Sequence, residues 1–256
     1  MPVAITRDVS ASFAQCQLSF VARQPIDVDK ARAQHEAYRR ALRSLGCEVI
    51  ALPALDAMPD AVFVEDVAIV LDEVAIMTRP GAASRRDEGA SVAAVLREHR
   101  PLCEITAPGT LDGGDVLRVG RTIFVGLAAR SNRDGIAQLA AAVARFGYAV
   151  QAVPTHECLH LKSAVTQVAD DTLLIQPRWV DRDVFAAYRL IEVDDDEEHG
   201  ANALRIGDAV VIHPQCFPRT RTRLQQAGIQ VVPVDLSELQ KAEGATTCCS
   251  IVFRQR

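Results

Sequence analysis

Residues 113–127, GGDVLRVGRTIFVGL, are followed by SNRDGIAQLAAAVARFG (131–147) and then by YAVQAVPT (148–155). The first stretch reads as two strands joined by a tight turn at Gly120-Arg121. The second has the apolar spacing of an amphipathic helix that closes at Gly147. The third is a short strand that stops at Pro154. Strand, strand, helix, strand is therefore the local order here.

Working outward, that order recurs. FVEDVAIVLDEVAIMTRP (63–80), SRRDEGASVAAVLREH (84–99) and CEITAPG (103–109) precede it. KSAVTQVADDTLLIQP (162–177), DRDVFAAYR (181–189) and LIEVDDD (190–196) follow it. NALRIGDAVVIHP (202–214), PRTRTRLQQAG (218–228) and IQVVPVDL (229–236) repeat it again. The helices are expected to open at turn or capping residues such as Ser84, Ser131 and Asp181. A last hairpin, CCSIVFRQR, is cut short at the C-terminus, and VAITRDV (3–9) can supply its missing strand. The helix over Val28–Leu45 and the strand CEVIALP (47–53) then complete a fifth unit. The hairpins start near Asp66, Asp115, Ser163, Asn202 and Cys248, at intervals of roughly 40–50 residues, the range of repeat architectures. The pattern predicts one domain over residues 1–256, a ring of five α/β units closed by joining the termini; the alternative is an ordinary α/β sandwich whose elements alternate by chance. In such a ring the hairpin starts converge on the axis, and side chains that carry chemistry should gather there.

The bulk composition is consistent with this reading. The 256 residues are 49% hydrophobic and only 5% aromatic, so the core must be built of Val, Ile, Leu and Ala. A net charge of −5 excludes a general nucleic-acid binder, which needs a basic face. Seven scattered cysteines without a Cys-x-x-Cys pair exclude a disulfide framework and a structural zinc site, and suit a reducing, cytoplasmic setting. The first residues lack a signal-peptide layout, and no apolar run approaches the roughly 20 residues of a membrane span.

The expected loops do carry reactive groups. The first holds Asp60, Glu65 and Asp66; the second, Asp112, Gly113, Gly114 and Asp115; the third, His160; the fourth, Asn202; the fifth, Cys248 and Cys249. Carboxylates gathered in a cleft repel one another unless a cation joins them, and a guanidinium suits paired carboxylates. The Gly pair allows positive φ or close approach. A His between Leu159 and Leu161 is by itself more often a core residue; its place at an equivalent loop favours proton transfer. One of the two adjacent thiols is a candidate nucleophile with the other packed beneath, and spacing does not choose between them. Arg85, Arg86 and Arg130 lie at expected helix starts, where the dipole disfavours cations. A substrate carboxylate, or pairing with Asp87 or Glu88, would offset that.

LPALDAMPDAVFVEDVA (52–68), IMTRPGAASRRDE (76–88), TLDGGDVLRVGRTIFVGLAARSN (110–132), LHLKS (159–163) and TTCCS (246–250) together resemble the dimethylarginine dimethylaminohydrolases of the guanidino-modifying superfamily, over essentially the whole chain. The resemblance implies a five-bladed ββαβ propeller, the pentein fold, with pseudo-fivefold symmetry. It implies that Cys248 is the nucleophile, His160 its proton-transfer partner and Asp112 the catalytic carboxylate. It assigns guanidinium recognition to Asp60, Glu65 and Asp66, with Phe63 also at the substrate, and recognition of the substrate's carboxylate and amine to Arg85, Arg130 and Ala242-Glu243. Leu18 matches a residue of a flexible N-terminal lid. The implied reaction is hydrolysis of Nω-methylated arginines to citrulline and methylamines, with no metal or organic cofactor. The expected partners are the small-molecule substrate and a second copy of the chain in a homodimer, with no nucleic acid or membrane. A sister guanidine or ureido hydrolase, such as an arginine deiminase or citrulline hydrolase, would use the same core chemistry. A non-catalytic propeller scaffold would have lost Cys248 or His160, and both are present.

Overall fold

The computed structural model describes residues 1–255. β1 (Pro2–Arg7) is followed by helix α1 (Val28–Ser44) and β2 (Glu48–Leu52). The next four units each supply three strands. These are β3 (Ala68–Val70), β4 (Ala75–Met77) and β5 (Leu102–Glu104), then β6 (Val116–Val119), β7 (Thr122–Leu127) and β8 (Ala149–Pro154). β9 (Val165–Ala169), β10 (Thr172–Ile175) and β11 (Arg189–Glu192) follow, then β12 (Leu204–Arg205), β13 (Val210–Pro214) and β14 (Gln230–Val234). β15 (Ile251–Arg254) is the last strand. Together they form five three-stranded sheets.

In every sheet the first two strands pair antiparallel and the third joins the middle strand in parallel, as a hairpin followed by a helical crossover requires. The sheet β15-β1-β2 obeys the same rule across the two ends of the chain: Ile5 lies opposite Ile251 in the antiparallel pair and beside Ile50 in the parallel one. The N-terminal strand thus supplies what the C-terminal hairpin lacks.

The core is divided among five apolar clusters, each lying between two consecutive sheets. Val3 and Ile5 of the first sheet pack with Ala68 and Ala75 of the second. Ile69 and Ile76 pack with Val116 and Ile123, and Leu117 and Phe124 with Val165 and Leu173. Val168 and Leu174 pack with Val211. Ile212 and Val234 of the fifth sheet then pack with Ala4, Tyr38 and Leu42, back at the first. This cyclic order is a five-fold, propeller-like arrangement.

The crossovers differ from the expected helices in three places. α2 (Ala90–Arg97) begins six residues after Ser84, which lies in a separate 3-10 turn over Ala83–Arg85. α3 (Arg133–Ala144) is capped by Asn132 and not by Ser131; the Asn132 side chain accepts from Gly135 N. DRDVFAAYR forms only a 3-10 turn over Arg182–Phe185, although Asp181 does cap it. With β11 beginning at Arg189, too few residues remain to repay helix nucleation. α4 (Leu161–Ala164) is a single turn, α5 (Pro218–Gln226) starts with proline, and α6 (Ser237–Gln240) is again one turn. Among the described residues no helix is long and apolar enough to cross a membrane.

Candidate active site

The hairpin-start loops bring Asp66, Asp112, His160 and Cys248 to one small cavity of about 20 Å³. Gln17, Asp60, Phe63, Asp66, Arg85, Arg130, Leu159, His160, Ala242, Glu243 and Cys248 line it. Asp112 lies just behind the His160 ring.

Gly113 and Gly114 are needed for close approach and not for positive φ, since neither has one. A Cβ on Gly113 would sit 1.9 Å from the Glu65 carbonyl oxygen. One on Gly114 would sit 2.6 Å from His160 Nδ1 and 2.8 Å from Asp66 Oδ1. This turn therefore presses the first, second and third loops together. Gly114 N donates to Asp66 Oδ1 at 2.9 Å. Asp112 accepts from Gly81 N at 2.8 Å through one oxygen and meets His160 Nε2 at 3.0 Å through the other. His160 Nδ1 lies 4.0 Å from Asp66 Oδ1.

Burial alone would discharge the His160 imidazole, but Asp66, Asp112 and Asp115 outweigh it and hold its pKa at about 9. Near neutral pH it is an imidazolium. Burial also works to protonate Asp66, yet His160, Arg85 and the Gly114 amide together bring it down to about 2. Asp115 is fully buried and rises to about 6, chiefly by burial, with His160 and Ser131 offsetting part of the effect. Its carboxylate accepts from Ser131 Oγ at 2.6 Å and from Leu161 N at 3.0 Å. Ser131 Oγ in turn accepts from Asp112 N. Asp115 and Ser131 thus hold the backbone beside both members of the His160–Asp112 pair. Ser131 was expected only as a helix cap, and its hydroxyl at that position is the one signal the sequence offered.

The thiols separate clearly. Cys249 is fully buried and its Sγ donates to Ala245 O at 3.4 Å, while Cys248 is half-buried and lines the cavity. The pair sits in the turn before β15 and not on the strand itself, so turn geometry and not strand alternation divides them. Burial, then the charges of Glu65 and Asp66, push the Cys248 thiol up to about 12. Near neutral pH it is therefore protonated.

Glu65 and Arg85, expected at the substrate, are both engaged by other side chains. Glu65 does not line the cavity: one oxygen is paired with Lys162 Nζ and the other accepts from Thr247 Oγ1 at 2.7 Å. Thr247 is held in turn by Asn202. Glu65, Lys162 and Thr247 form a floor. Beyond it lies a separate axial cavity of about 690 Å³, ringed by the first strand of every sheet. An acid beside an apolar strand did not reveal which way it points, and Lys162, present in LHLKS, was the available clue.

Arg85 is likewise not an open cation at a helix start. It is buried in a 3-10 turn, bonded to Asp66 at 2.5 Å, to Glu88 through Nε and Nη2, and to the carbonyls of Asp60 and Phe63. Most of its donors are spent on organising the acids. Arg130 is more open and donates to Ser19 Oγ at 3.3 Å. Leu18 packs on the apolar cluster shared by the fifth and first sheets, and the neighbouring Gln17 lines the cavity instead. Asp60 accepts from Gln17 N through both oxygens.

Among the described residues one group, Asp66, Asp112 and His160, brings three metal-ligand atoms within 4.8 Å of one another. These residues also bond to Arg85, Gly114 and each other.

The fold thus sets a thiol, an imidazolium and carboxylates at one cavity, the equipment of an α/β enzyme site. Residues 3–254 match the family model "N,N dimethylarginine dimethylhydrolase, eukaryotic". The chain belongs to the dimethylarginine dimethylaminohydrolase family. It is 39% identical to N(G),N(G)-dimethylarginine dimethylaminohydrolase of Streptomyces coelicolor, over 98% of this chain and 97% of that one. It is 34% identical to the Pseudomonas aeruginosa protein of the same name, over 89% and 90%. A mutant of DDAH from Pseudomonas aeruginosa solved with citrulline superposes with a TM-score of 0.92, at 32% identity and 98% coverage of both chains. A dimethylarginine dimethylaminohydrolase adduct with S-methyl-L-thiocitrulline gives 0.93, at 33% identity and the same coverage.

Proposed function

We propose that the protein hydrolyses Nω-methylated arginines to citrulline and methylamines through a covalent adduct on Cys248. The observation that carries this reading is a thiol and an imidazolium facing one cavity whose other polar walls are carboxylates and arginines. The family membership supports it.

A thiol with pKa near 12 is a poor nucleophile. A guanidinium entering beside Asp60 and Asp66 brings the positive charge that favours ionisation, the thiol proton leaving to solvent as the substrate docks, so the substrate activates its own attacker. The Cys248 thiolate adds to the guanidinium carbon, forming the C–S bond. His160 keeps its Nε2–H on Asp112 and has Nδ1–H to give. Transfer of that proton to the methylated nitrogen lets the amine leave and gives an S-alkylthiouronium. Neutral His160 then takes a proton from water, whose oxygen adds to the same carbon. Collapse expels the Cys248 thiolate and leaves the ureido product. Asp112 holds the imidazole, Asp60 and Asp66 hold the guanidinium in an attacking pose, with Phe63 as an apolar wall. Arg130, with its open guanidinium, takes the substrate carboxylate, and Arg85 acts chiefly by fixing Asp66.

We read the architecture as a closed five-bladed ββαβ propeller of pseudo-fivefold symmetry, in one domain over 1–256. The cyclic order of the five apolar clusters supports this. The test of the function is citrulline formation from monomethylarginine and dimethylarginine, with arginine and citrulline run beside them. Cys248→Ser should abolish turnover, and acid quench should trap an adduct on the Cys248 peptide and none on Cys249. Undiminished turnover in Cys248→Ser would refute the scheme.

A further inference from the structure

Between the 3-10 turn ending at Gln15 and helix α1, residues 16–27 form a strap with no regular secondary structure. Its outer face is open to solvent; Phe20 is 54% exposed. Its inner face is tied down by groups that line the cavity. The Glu243 carboxylate accepts from three consecutive backbone amides, Ser19 N at 2.9 Å, Phe20 N at 2.5 Å and Val21 N at 2.9 Å. Asp60 holds Gln17 N, and Arg130 touches Ser19 Oγ. Glu243 is itself held in an uncommon conformation, with φ of +61°. The next residue, Gly244, lies so close to the Phe63 ring that a Cβ there would be 2.2 Å from it. The turn that aims Glu243 is thus keyed to a wall of the cavity.

Under this strap the cavity measures about 20 Å³, room for about one water molecule. The strap residue Gln17 and the groups that hold the strap line this cavity, so an arginine-sized molecule has to displace the strap to enter from this side. We propose that Glu243 is the latch of the strap: its carboxylate gathers the three amides to close the site, and letting them go admits guanidinium substrate and releases product. This deepens the functional reading above and rests on it. It also gives Glu243 a role distinct from contact with the substrate amine, because in the closed state its oxygens are already taken by the strap.

The latch is tested on the full chain without substrate. Loss of three charge-assisted hydrogen bonds should shift the closed–open balance by about tenfold or more. In Glu243→Ala, trypsin should cut after Arg23 about tenfold faster, and iodoacetamide should alkylate Cys248, followed by peptide mass, about tenfold faster. The pH profile of alkylation should keep its midpoint, since the latch changes access and not the thiol. Glu243→Gln, which keeps one acceptor oxygen, should fall between. Unchanged rates in Glu243→Ala overturn the proposal. Faster cutting at sites throughout the chain also overturns it, because that is general loosening. Neither readout needs turnover, so their failure is distinct from failure of the citrulline assay.

Discussion

At the scale of single residues, the site is set by contacts too close for an added methyl group. Gly114→Ala would drive a Cβ against both His160 Nδ1 and Asp66 Oδ1, and these are short, buried side chains that cannot swing clear. The substitution should cost about 1–3 kcal/mol in a denaturant titration. Citrulline formation should fall about 100-fold, since moving the imidazole by an ångström spoils the proton path. The charge on His160 makes a second prediction. Its folded pKa of about 9 lies above the unfolded 6.5. Its contribution to stability is therefore fully present below pH 6.5 and is lost as pH rises through 9. A shift of this size corresponds to roughly 3 kcal/mol when fully developed, shared with its partner Asp66 and not additional to it. Denaturant midpoints measured between pH 6 and 10 should fall with pH in the native protein. The same series in His160→Gln should be flatter over that window; parallel curves would show that the imidazole is not the group titrating.

At the scale of elements, Asn132 joins a crossover helix to the site. Its Oδ1 accepts from Gly135 N, the helix cap, and from Thr110 N, while its Nδ2 donates to Pro108 O. Asn132→Ala leaves those groups without partners and should cost about 1–2 kcal/mol, whereas Asn132→Asp keeps both accepted bonds and should lose less. Equal losses in the two variants would mean that the cap is not what matters. The same segment shows what the sequence could reveal. Gly and Pro punctuation made the repeat visible, and β6, β7, α3 and β8 fall on GGDVLRVGRTIFVGL, SNRDGIAQLAAAVARFG and YAVQAVPT. Which of Ser131 and Asn132 capped the helix was not visible. Both are good caps by composition, and the choice turned on Ser131 being drawn to Asp115, 16 residues away in sequence. The same holds for Glu65 and Arg85. Their residue types pointed to charge pairing, and Glu88, one of the neighbours expected for Arg85, is indeed a partner; Lys162 and Asp66 were not foreseen, because side-chain direction is decided by which loop arrives opposite. The fourth crossover failed as a helix for a local reason: its turn had to bury Phe185 and reach β11 within a few residues.

At the scale of the whole molecule, no sheet owns its core. Ile212 of the fifth sheet is fully buried in the cluster that returns to the first, and Ile76 of the second is buried in the cluster shared with the third. In an open array of repeats, a cavity in one interface weakens that interface and lets the ends unfold separately. In a ring every sheet has two neighbours, so a break anywhere leaves two exposed faces and the rest cannot persist. Ile76→Ala and Ile212→Ala should therefore each lower stability by about 2–5 kcal/mol while unfolding remains one transition. Far-ultraviolet circular dichroism follows all five sheets, whereas alkylation of Cys248 reports only the turn before β15. The midpoints from the two probes should coincide in the native protein and in both variants, although Ile76 lies in a different interface from that turn. If Ile76→Ala shifted the dichroism midpoint and left the Cys248 midpoint where it was, the sheets would be unfolding as independent repeats. The joining of β1 to β15 would then be only a pairing of two strands and not the closure of a ring.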